Sequence, residues 1–291
     1  MPAPASDTRS RSARAVFVRP CTAVGPHVEG ATGGFVLRLR PEGDTAWTEN
    51  LVSGRFFMVR REDGESPAIP RPFSVYRVED GCLDFLIQTF GLGTAALAAC
   101  EEGTPLRLVG PAGNGWPELT VGPEPWVFLA GGIGSAPFLM ALEQSLPAHV
   151  GASPRAPGPW LLYGAAAADR LYEHAAFEAT GAQVLCATDD GSHGFHGNVI
   201  GLLEQEWAAG RIPERVRLLA CGPERMLTAV ARLAADRELS CWFSLETYMG
   251  CGVGICSGCA VPTNPEGPLG DWPSAKCCVE GPVFESSAIL I

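Results

Sequence analysis

Short apolar or alternating segments, separated by turn residues, dominate the first 119 residues of the chain. These segments are residues 15–18, 34–39, 56–59, 74–78, 82–87 and 105–109. Runs of this length bounded by Gly, Pro and acidic residues are typical of strands in a closed antiparallel barrel. One helix interrupts them at residues 93–100, where alanine predominates. The pattern predicts a β-barrel domain over residues 15–119.

The hydrophobic pattern changes after a proline-containing segment at residues 122–125. Continuous apolar runs alternate with helical stretches from this point on. The runs are residues 126–130, 160–164, 183–188 and 216–220, and the helical stretches lie near 171–179, 199–209 and 224–237. Uninterrupted apolar strands are typical of a parallel sheet buried on both faces. Their alternation with helices predicts a doubly wound α/β domain, which we place at residues 123–239.

The last part of the chain carries a dense cysteine motif. Cys251, Cys256 and Cys259 have C-x4-C-x2-C spacing, and Cys278 follows later. This is the spacing of a plant-type [2Fe-2S] cluster, and the intervening glycines allow a loop to fold around one. The alternative is a zinc site, for which two C-x2-C pairs are more usual. Cys277 competes with Cys278 for the fourth position, but neighbours in extended chain point in opposite directions.

The cysteine loop also carries apolar side chains among its glycines. Met249, Val253 and Ile255 give it an apolar and lightly charged surface. Interface cores are depleted of charge, so this surface is a candidate for contact with a partner protein. Alternatively, these side chains only shield a cluster from water. We assign residues 240–291 to a small C-terminal metal-binding domain.

Charge and composition narrow the possible functions. The net charge of −11 argues against a nucleic-acid partner, because phosphate binding requires a basic surface. No apolar run reaches the roughly 18 residues of a membrane-spanning helix. Residues 1–14 carry arginines without an apolar segment after them, so they predict a disordered tail and not a signal peptide. Numerous cysteines without a secretion signal predict a reducing, cytoplasmic location.

Two short segments of the predicted barrel could bind an anion. The candidate residues are Arg71, Pro72, Phe73, Ser74, Gly91, Gly93 and Thr94. The first four open a predicted strand, where the arginine and the serine could bind a phosphate or polarise a ring, although an Arg-Pro pair is often only a turn. The last three open the predicted helix, whose free amides and dipole attract anions. An ordinary N-cap by Thr94 is the alternative.

Turns of the predicted α/β domain are candidates for dinucleotide binding. Gly132 and Gly134 lie in a G-G-I-G turn between a strand and a helix, and Cys221 opens a C-G-P-E-R-M segment in the same context. Asp190 follows a strand, where ligands bind in open α/β sheets. A carboxylate there hydrogen-bonds a ribose 2′-OH and repels a 2′-phosphate, which favours NAD over NADP. Asp189 and Asp190 could equally form a turn, and Cys221 could be a small core residue.

These motifs together resemble one known family. They are R-P-F-S, G-L-G-T, G-G-I-G-S-A-P, C-G-P-E-R-M, and L-E-T-Y-M-G-C-G-V-G-I-C-S-G-C with a later C-V-E-G-P-V-F. The sequence resembles the electron-transfer subunits of class 1B dihydroorotate dehydrogenase, the PyrK family of the ferredoxin reductase superfamily. The likeness spans nearly the whole chain apart from the N-terminal tail.

The resemblance implies a flavin-binding barrel, a nicotinamide-binding α/β domain and a C-terminal [2Fe-2S] domain. It implies that the R-P-F-S and G-L-G-T segments hold FAD, and that the two glycine-containing turns of the α/β domain frame NAD. It further implies an FMN-containing catalytic partner subunit that oxidises dihydroorotate, in a heterotetramer with two copies of each chain. No side chain of this subunit is expected to act as a general acid or base.

The implied role is electron transfer to NAD in pyrimidine (UMP) biosynthesis. Two other roles use the same residues. One is a stand-alone NAD(P)H:acceptor or ferredoxin-type reductase, and the other is the flavin subunit of a sulfhydrogenase. A zinc-stabilised binding module is the non-enzymatic alternative.

Overall fold

The computed structural model describes residues 8–24, 33–65, 67–119, 124–150 and 159–291. Two seven-stranded sheets and one two-stranded sheet form over these ranges. The strands of the first sheet are β1 (Arg9–Pro20), β2 (Gly34–Pro41), β3 (Phe56–Arg61), β4 (Arg71–Ser74), β5 (Arg77–Glu79), β6 (Cys82–Gln88) and β7 (Pro105–Ala112). Helix α1 (Leu92–Ala98) lies between β6 and β7, and a 3-10 turn covers Ala46–Asn50.

The first sheet is antiparallel and curled, with strand order β4-β3-β7-β1-β2-β6-β5. Its edge strands β4 and β5 do not pair with each other within the described residues, so the sheet is a half-barrel and not a closed barrel. The single strand predicted at 74–78 is interrupted at Val75 and Tyr76. Val75 N donates to Arg55 O (3.0 Å), whereas Tyr76 N donates to Asp84 O in β6 (2.9 Å). The chain therefore crosses from one edge of the sheet to the other at this point.

Strand β1 corrects the predicted N-terminal tail. Its first half, from Arg9 to Arg14, pairs with β7 from Gly110 back to Pro105. The prediction of disorder over residues 1–14 is therefore wrong from Arg9 onwards, and residues 1–7 lie outside the described ranges. Within β1, Ala13 is buried while Arg14 is exposed. Arg14 thus lies on the outer face of β1, whereas Arg11 is half-buried, with its guanidinium carbon 4.2 Å from the centroid of the Trp47 ring.

The second sheet carries the α/β domain. Its strands are β8 (Trp126–Gly131), β9 (Trp160–Ala165), β10 (Gln183–Thr188), β11 (Phe195–His196), β12 (Arg217–Cys221), β13 (Cys241–Ser244) and β16 (Val283–Glu285). The accompanying helices are α2 (Phe138–Val150), α3 (His174–Glu178), α4 (Val199–Ala208) and α5 (Glu224–Asp236), with 3-10 turns at Gly132–Ser135 and Ala168–Arg170. The order is β11-β10-β9-β8-β12-β13-β16, and only the β13–β16 pair is antiparallel.

Large apolar clusters cover this sheet, as continuous apolar strands predicted. Two details differ from expectation. The helix predicted at 171–179 is shortened to α3, because Glu173 adopts a left-handed conformation (φ 55°) immediately before it. Strands β13 and β16 also belong to this sheet, although the boundary predicted at residue 240 assigned them to the C-terminal domain.

A two-stranded sheet, β14 (Ala260–Pro262) with β15 (Ser274–Lys276), supports the cysteine loop. The amides of Val279 and Glu280 both donate to Lys276 O, at 2.8 and 2.9 Å. This turn ends β15 and redirects the chain into β16.

Polar contacts fasten the three parts together. Asn114, in the turn after β7, donates to the carbonyls of Glu280 (2.8 Å) and Val283 (2.7 Å) and accepts from Val283 N (2.9 Å). Arg19 in β1 donates to both carboxylate oxygens of Glu173, at 2.9 and 2.6 Å. Over the described ranges, none of the helices has the length and apolar character needed to span a membrane.

Candidate functional site

Two adjoining cavities lie where the three parts of the chain meet. The large cavity, of about 550 Å³, is lined by the turns that follow β8, β9, β10 and β12. The small cavity, of about 430 Å³, lies between the first sheet and the start of the cysteine loop. Gln88, Ile133 and Glu246 line both cavities. A ligand in one cavity would therefore lie next to a ligand in the other.

The wall of the large cavity depends on the close approach of two turns. A Cβ atom on Gly134 would lie 2.4 Å from the carbonyl oxygen of Cys221, and one on Gly131 would lie 2.7 Å from Pro223 Cδ. Position 132 requires glycine for another reason, because its φ of 55° lies in the left-handed region that favours glycine. Only glycines let these turns pack together and present their backbone to a ligand. The predicted residues Gly132 and Gly134 both line this cavity.

Cys221 lies between the apolar core and the small cavity. It is buried at the end of β12, and burial raises the pKa of its thiol well above the usual range. It also lines the small cavity. The two interpretations of Cys221, as a core residue and as part of the site, therefore both describe its position.

The two aspartates after β10 have different surroundings. Asp189 lines the large cavity, whereas Asp190, the predicted residue, does not. The Asp190 carboxylate accepts from Ser192 N (2.9 Å) and Ser192 Oγ (2.6 Å), and these hydrogen bonds lower its pKa. Asp190 thus stabilises the turn, and the aspartate that lines the large cavity is Asp189.

The predicted residues of the barrel fall into two groups. Pro72, Phe73 and Ser74 line the small cavity. Arg71 instead lies against the start of α1, because a Cβ atom on Gly93 would be 2.7 Å from Arg71 Nε. A cation therefore stands beside the first turn of this helix, which is the arrangement that binds a phosphate.

The N-terminus of α1 is capped locally. Gly91, and not Thr94, occupies the N-cap position. Thr94 Oγ1 accepts from Phe90 N (2.8 Å) and Gly91 N (3.1 Å) and donates to Gly91 O (3.0 Å). The Thr94 hydroxyl thus holds the Gly91 turn in place beside Arg71.

Glu246 and Gln88 are site residues that sequence reasoning missed. Gln88 ends β6, and Glu246 follows β13 as the first residue of the segment that carries the cysteines. The Glu246 carboxyl is open to the cavities but surrounded by protein, and this burial raises its pKa. Glu246 opens the cysteine motif in the sequence, which was the available signal, but its position beside two cavities depends on β13 joining the second sheet.

The cysteine loop, residues 246–259, surrounds its sulfurs with amide donors. Cys251 Sγ accepts from Cys256 N (3.4 Å) and Val253 N (3.5 Å). Burial opposes ionisation of Cys251, but these donors outweigh it and lower its pKa to about 6. A Cβ atom on Gly250 or Gly258 would lie 3.6 Å from Cys256 Sγ, so both glycines flank that sulfur. The loop therefore favours the thiolate of Cys251, which is the ligand form of cysteine.

The neighbouring cysteines Cys277 and Cys278 face different surroundings. Cys278 Sγ accepts from Gly254 N (3.2 Å), and Cys278 N donates to Cys259 Sγ (3.4 Å). Cys277 Sγ instead points to Leu245 O, at 3.8 Å. Burial is the main cause that raises the pKa of each thiol to about 12. Cys278 is thus the one of the two that lies with the loop cysteines, so the four-thiol donor set fits a plant-type cluster.

The loop is anchored to the rest of the protein. Lys276 Nζ donates to Gly254 O at 2.6 Å. Gly252 has φ 70°, and a Cβ atom there would lie 2.3 Å from Met58 Cγ in β3. Met249 is buried in the same apolar cluster as Phe56 and Met58. Met249 therefore packs the loop onto the first sheet and does not belong to an outer surface, contrary to the prediction.

The other apolar residues of the loop are on the outside. Ile255 is 81% exposed and Val253 is 40% exposed. Tyr248, which the sequence analysis left out, is 95% exposed. This exposed group, Tyr248, Val253 and Ile255, lies on the part of the loop that also contains the exposed Cys256.

Comparison with known proteins places the chain in a family. The family model described as the iron-sulfur cluster binding domain of dihydroorotate dehydrogenase B matches residues 246–290. The dihydroorotate dehydrogenase B (NAD(+)), electron transfer subunit, of Desulforamulus reducens is 31% identical over 243 residues, or 82% of this chain and 87% of that protein. Its namesake from Enterococcus faecalis is 33% identical over 225 residues, or 76% of this chain and 80% of that protein.

Solved structures agree on the fold. An NADH-dependent reduced ferredoxin-NADP oxidoreductase superposes with a TM-score of 0.72 over 93% of this chain and 90% of that one, at 22% identity. The ferredoxin reductase of carbazole 1,9a-dioxygenase superposes with a TM-score of 0.62 over 81% of this chain and 68% of that one, at 19% identity. With the sequence relatives, these findings confirm the predicted family and its ferredoxin reductase-like fold. The chain belongs to the electron transfer subunits of dihydroorotate dehydrogenase B (NAD(+)).

Proposed function

We propose that this chain carries electrons from a catalytic dihydroorotate dehydrogenase subunit to NAD+. In this role an FMN-containing partner oxidises dihydroorotate to orotate in de novo pyrimidine (UMP) biosynthesis. The assembly would hold two copies of each subunit and work in the cytoplasm. All eleven cysteines of the chain lie in the described ranges and none forms a disulfide, which suits a reducing compartment.

This proposal rests on the observation that the candidate sites adjoin one another. Gln88, Ile133 and Glu246 line both cavities, and the small cavity also touches Leu245 and Met249 of the cysteine loop and its approach. When bound, a flavin exchanges two electrons with a nicotinamide and single electrons with a cluster, so it must stand between them. The small cavity is the space of this chain that adjoins both other sites.

The small cavity and its surroundings suit FAD. Phe73 and Leu86 give its wall apolar surface for a ring, and Ser74 supplies a hydroxyl. Arg71, beside Gly93, supplies a cation for the pyrophosphate. The Thr94 hydroxyl holds the helix start in the conformation that leaves room for it.

The large cavity suits the dinucleotide. Its glycine turns offer backbone at the carboxyl ends of parallel strands, where open α/β sheets bind nucleotides. We assign the ribose contact to Asp189, because this residue lines the cavity and a carboxylate there would repel a 2′-phosphate. NAD is therefore the expected partner in preference to NADP.

The cluster ligands in this proposal are Cys251, Cys256, Cys259 and Cys278. The amide donors around Cys251 and Cys278 stabilise negative charge on sulfur, which tunes the reduction potential of a bound cluster. Because Cys256 and Ile255 are exposed, electrons would enter at this end of the loop. The exposed group around Ile255 is then the surface for the catalytic subunit.

The test is Cys256→Ser in a reconstituted complex of both subunits. Removing this thiolate should abolish the cluster and stop dihydroorotate-dependent reduction of NAD+. Oxidation of NADH by a small dye should continue, because it needs only the two cavities. FAD occupancy and iron content are measured on the same samples, and Cys277→Ser serves as the matched control for removal of a thiol.

Full dihydroorotate:NAD+ activity in Cys256→Ser protein that lacks iron would show that electrons bypass the loop. A native complex that contains no FMN subunit would point to the stand-alone reductase instead.

A further inference from the structure

Three metal-ligating side chains meet outside the two cavities. His174 at the start of α3, Cys186 in β10 and His193 between β10 and β11 each bring one ligand atom to within 4.8 Å of the others. They line an open pocket at the edge of the second sheet. Neither the electron path nor the nucleotide site proposed above uses them.

Two of these side chains sit on firmly held backbone. Cys186 belongs to β10, which pairs with β9 along its whole length. His193 exchanges two hydrogen bonds with the buried Thr188, whose hydroxyl donates to His193 O (2.8 Å) and accepts from His193 N (3.0 Å). Gly194 lets the turn close on β10, because a Cβ atom there would lie 2.2 Å from Cys186 O. The spacing of the sulfur and the imidazole is thus set by the fold.

His174 has a carboxylate partner. Glu178 Oε2, one turn further along α3, lies 3.4 Å from His174 Nδ1. A carboxylate on one ring nitrogen fixes the orientation of a metal-binding imidazole and leaves the other nitrogen, here Nε2, for the metal. The rings of His174 and His193 stand edge to face, with centroids 5.9 Å apart. Both rings can therefore approach a common centre without stacking on each other.

We propose that His174, Cys186 and His193 form a zinc site, with water in the fourth position. Two imidazoles and one thiolate suit tetrahedral Zn2+, and the thiolate disfavours Mg2+ and Ca2+. The Cys186 thiol gives up its proton to solvent as the metal binds. The site is distinct from the cysteine loop, whose donors are all sulfur.

The metal would join α3 to the turn at residues 189–194. That turn begins with Asp189, which lines the large cavity. A zinc ion here would therefore stiffen one edge of the nucleotide site from behind, without touching the nucleotide. Because the ion binds only folded protein, it should also raise the melting temperature.

The experiment uses the full chain with FAD and cluster in place. After dialysis against a mild chelator, zinc is titrated in competition with a zinc-binding dye, and the bound metal is examined by zinc-edge X-ray absorption. We expect one tight equivalent with a single sulfur neighbour at about 2.3 Å and nitrogen neighbours at about 2.0–2.1 Å. Zinc that had replaced the cluster would show four sulfurs.

Variants locate the site. Cys186→Ser and His193→Ala should each weaken zinc binding by about 100-fold or more, since even loss of an outer partner costs roughly 10–100-fold. His196→Ala is the matched control, because His196 lines the same pocket but lies against Gly191 and outside the triad. FAD absorbance and iron content show whether each variant folds.

Absence of tight zinc binding in the wild-type chain would overturn the proposal. A wild-type affinity and an unchanged sulfur neighbour in Cys186→Ser would overturn it as well.

Discussion

The cysteine loop and the large cavity are built by different means. The cysteine site depends on a few side chains: the sulfurs of Cys251 in the loop and of Cys278 after it accept hydrogen bonds from nearby amides. The large cavity depends instead on the backbone, since Gly134 and its neighbours pack directly against other turns. Loss of one sulfur should therefore remove a bound group outright, whereas changes in the cavity should weaken binding by degrees.

The largest effect expected from this difference is at Cys278. Cys278→Ser should lose the cluster, because its sulfur lies with Cys259 and Gly254. FAD should remain bound, since the small cavity is unchanged. Iron analysis measures the loss of the cluster, and the visible spectrum measures the bound FAD. Cys277→Ser, with its sulfur towards Leu245 O, should keep the cluster, and the reverse outcome would make Cys277 the ligand.

A graded effect is expected at Gly134. In Gly134→Ala the new methyl group would lie 2.4 Å from Cys221 O. Overpacking of this kind costs about 1–3 kcal/mol, and the displaced turn should raise the KM for NADH by roughly tenfold, as about 1.4 kcal/mol corresponds to tenfold. Steady-state kinetics with a dye acceptor measure this. Loss of iron from this variant would show that the two regions are not independent.

A smaller effect is expected at Asp189. Asp189→Asn removes the charge that favours a free ribose hydroxyl, so the preference for NADH over NADPH should fall by about tenfold, or roughly 1.5 kcal/mol. The ratio of kcat/KM for the two nucleotides measures it. Asp190→Asn is the control, because that carboxylate binds Ser192 within the turn. A shift in Asp190→Asn alone would restore the original assignment to Asp190.

The smallest effect concerns the ion pair behind the large cavity. Burial opposes ionisation of Glu173, but hydrogen bonds from Arg19 and Thr22 outweigh it and hold its pKa below 4.5. Because the folded-state pKa is the lower one, this stabilisation is complete above pH 4.5 and disappears as the pH falls through the folded pKa. Arg19→Met should cost about 0.5–1 kcal/mol at pH 7, because the Arg19 side chain is nearly half exposed.

Thermal unfolding at several pH values tests this ion pair. The difference in melting temperature between wild type and Arg19→Met should be largest near neutrality and vanish in acid. A difference that is the same at pH 7 and pH 3 would mean that packing of the arginine stem, and not the ion pair, is responsible.

Sequence reasoning was most successful where chemistry is local in the chain. Cys251, Cys256 and Cys259 fall within nine residues, so their spacing alone indicated a cluster. The glycine turns were equally visible, because a strand and a helix flank Gly132 and Gly134 in the sequence. The family and the fold are confirmed, whereas the individual ligand assignments remain predictions.

Sequence reasoning failed where neighbours compete or distant segments meet. Asp189 and Asp190 are adjacent and have the same side chain, so the sequence does not distinguish them. Only the conformation of the turn decides which of the two lines the cavity. Glu246 reaches both cavities because β13 extends the second sheet, and no local pattern shows that. The N-terminal arginines looked like a tail because the strand that pairs with them, β7, lies about a hundred residues away, as in the pairing of Arg9 with Gly110.

The side chain of Asn114 has a mechanical consequence. Its three hydrogen bonds fasten the turn after β7 to the segment that follows the cysteine loop, and β13 leads into that loop from the other side. Because the segment is held at both ends, we expect the distances between the cysteine loop and the cavities to stay fixed. The rate of electron transfer inside this subunit should then not depend on solvent viscosity.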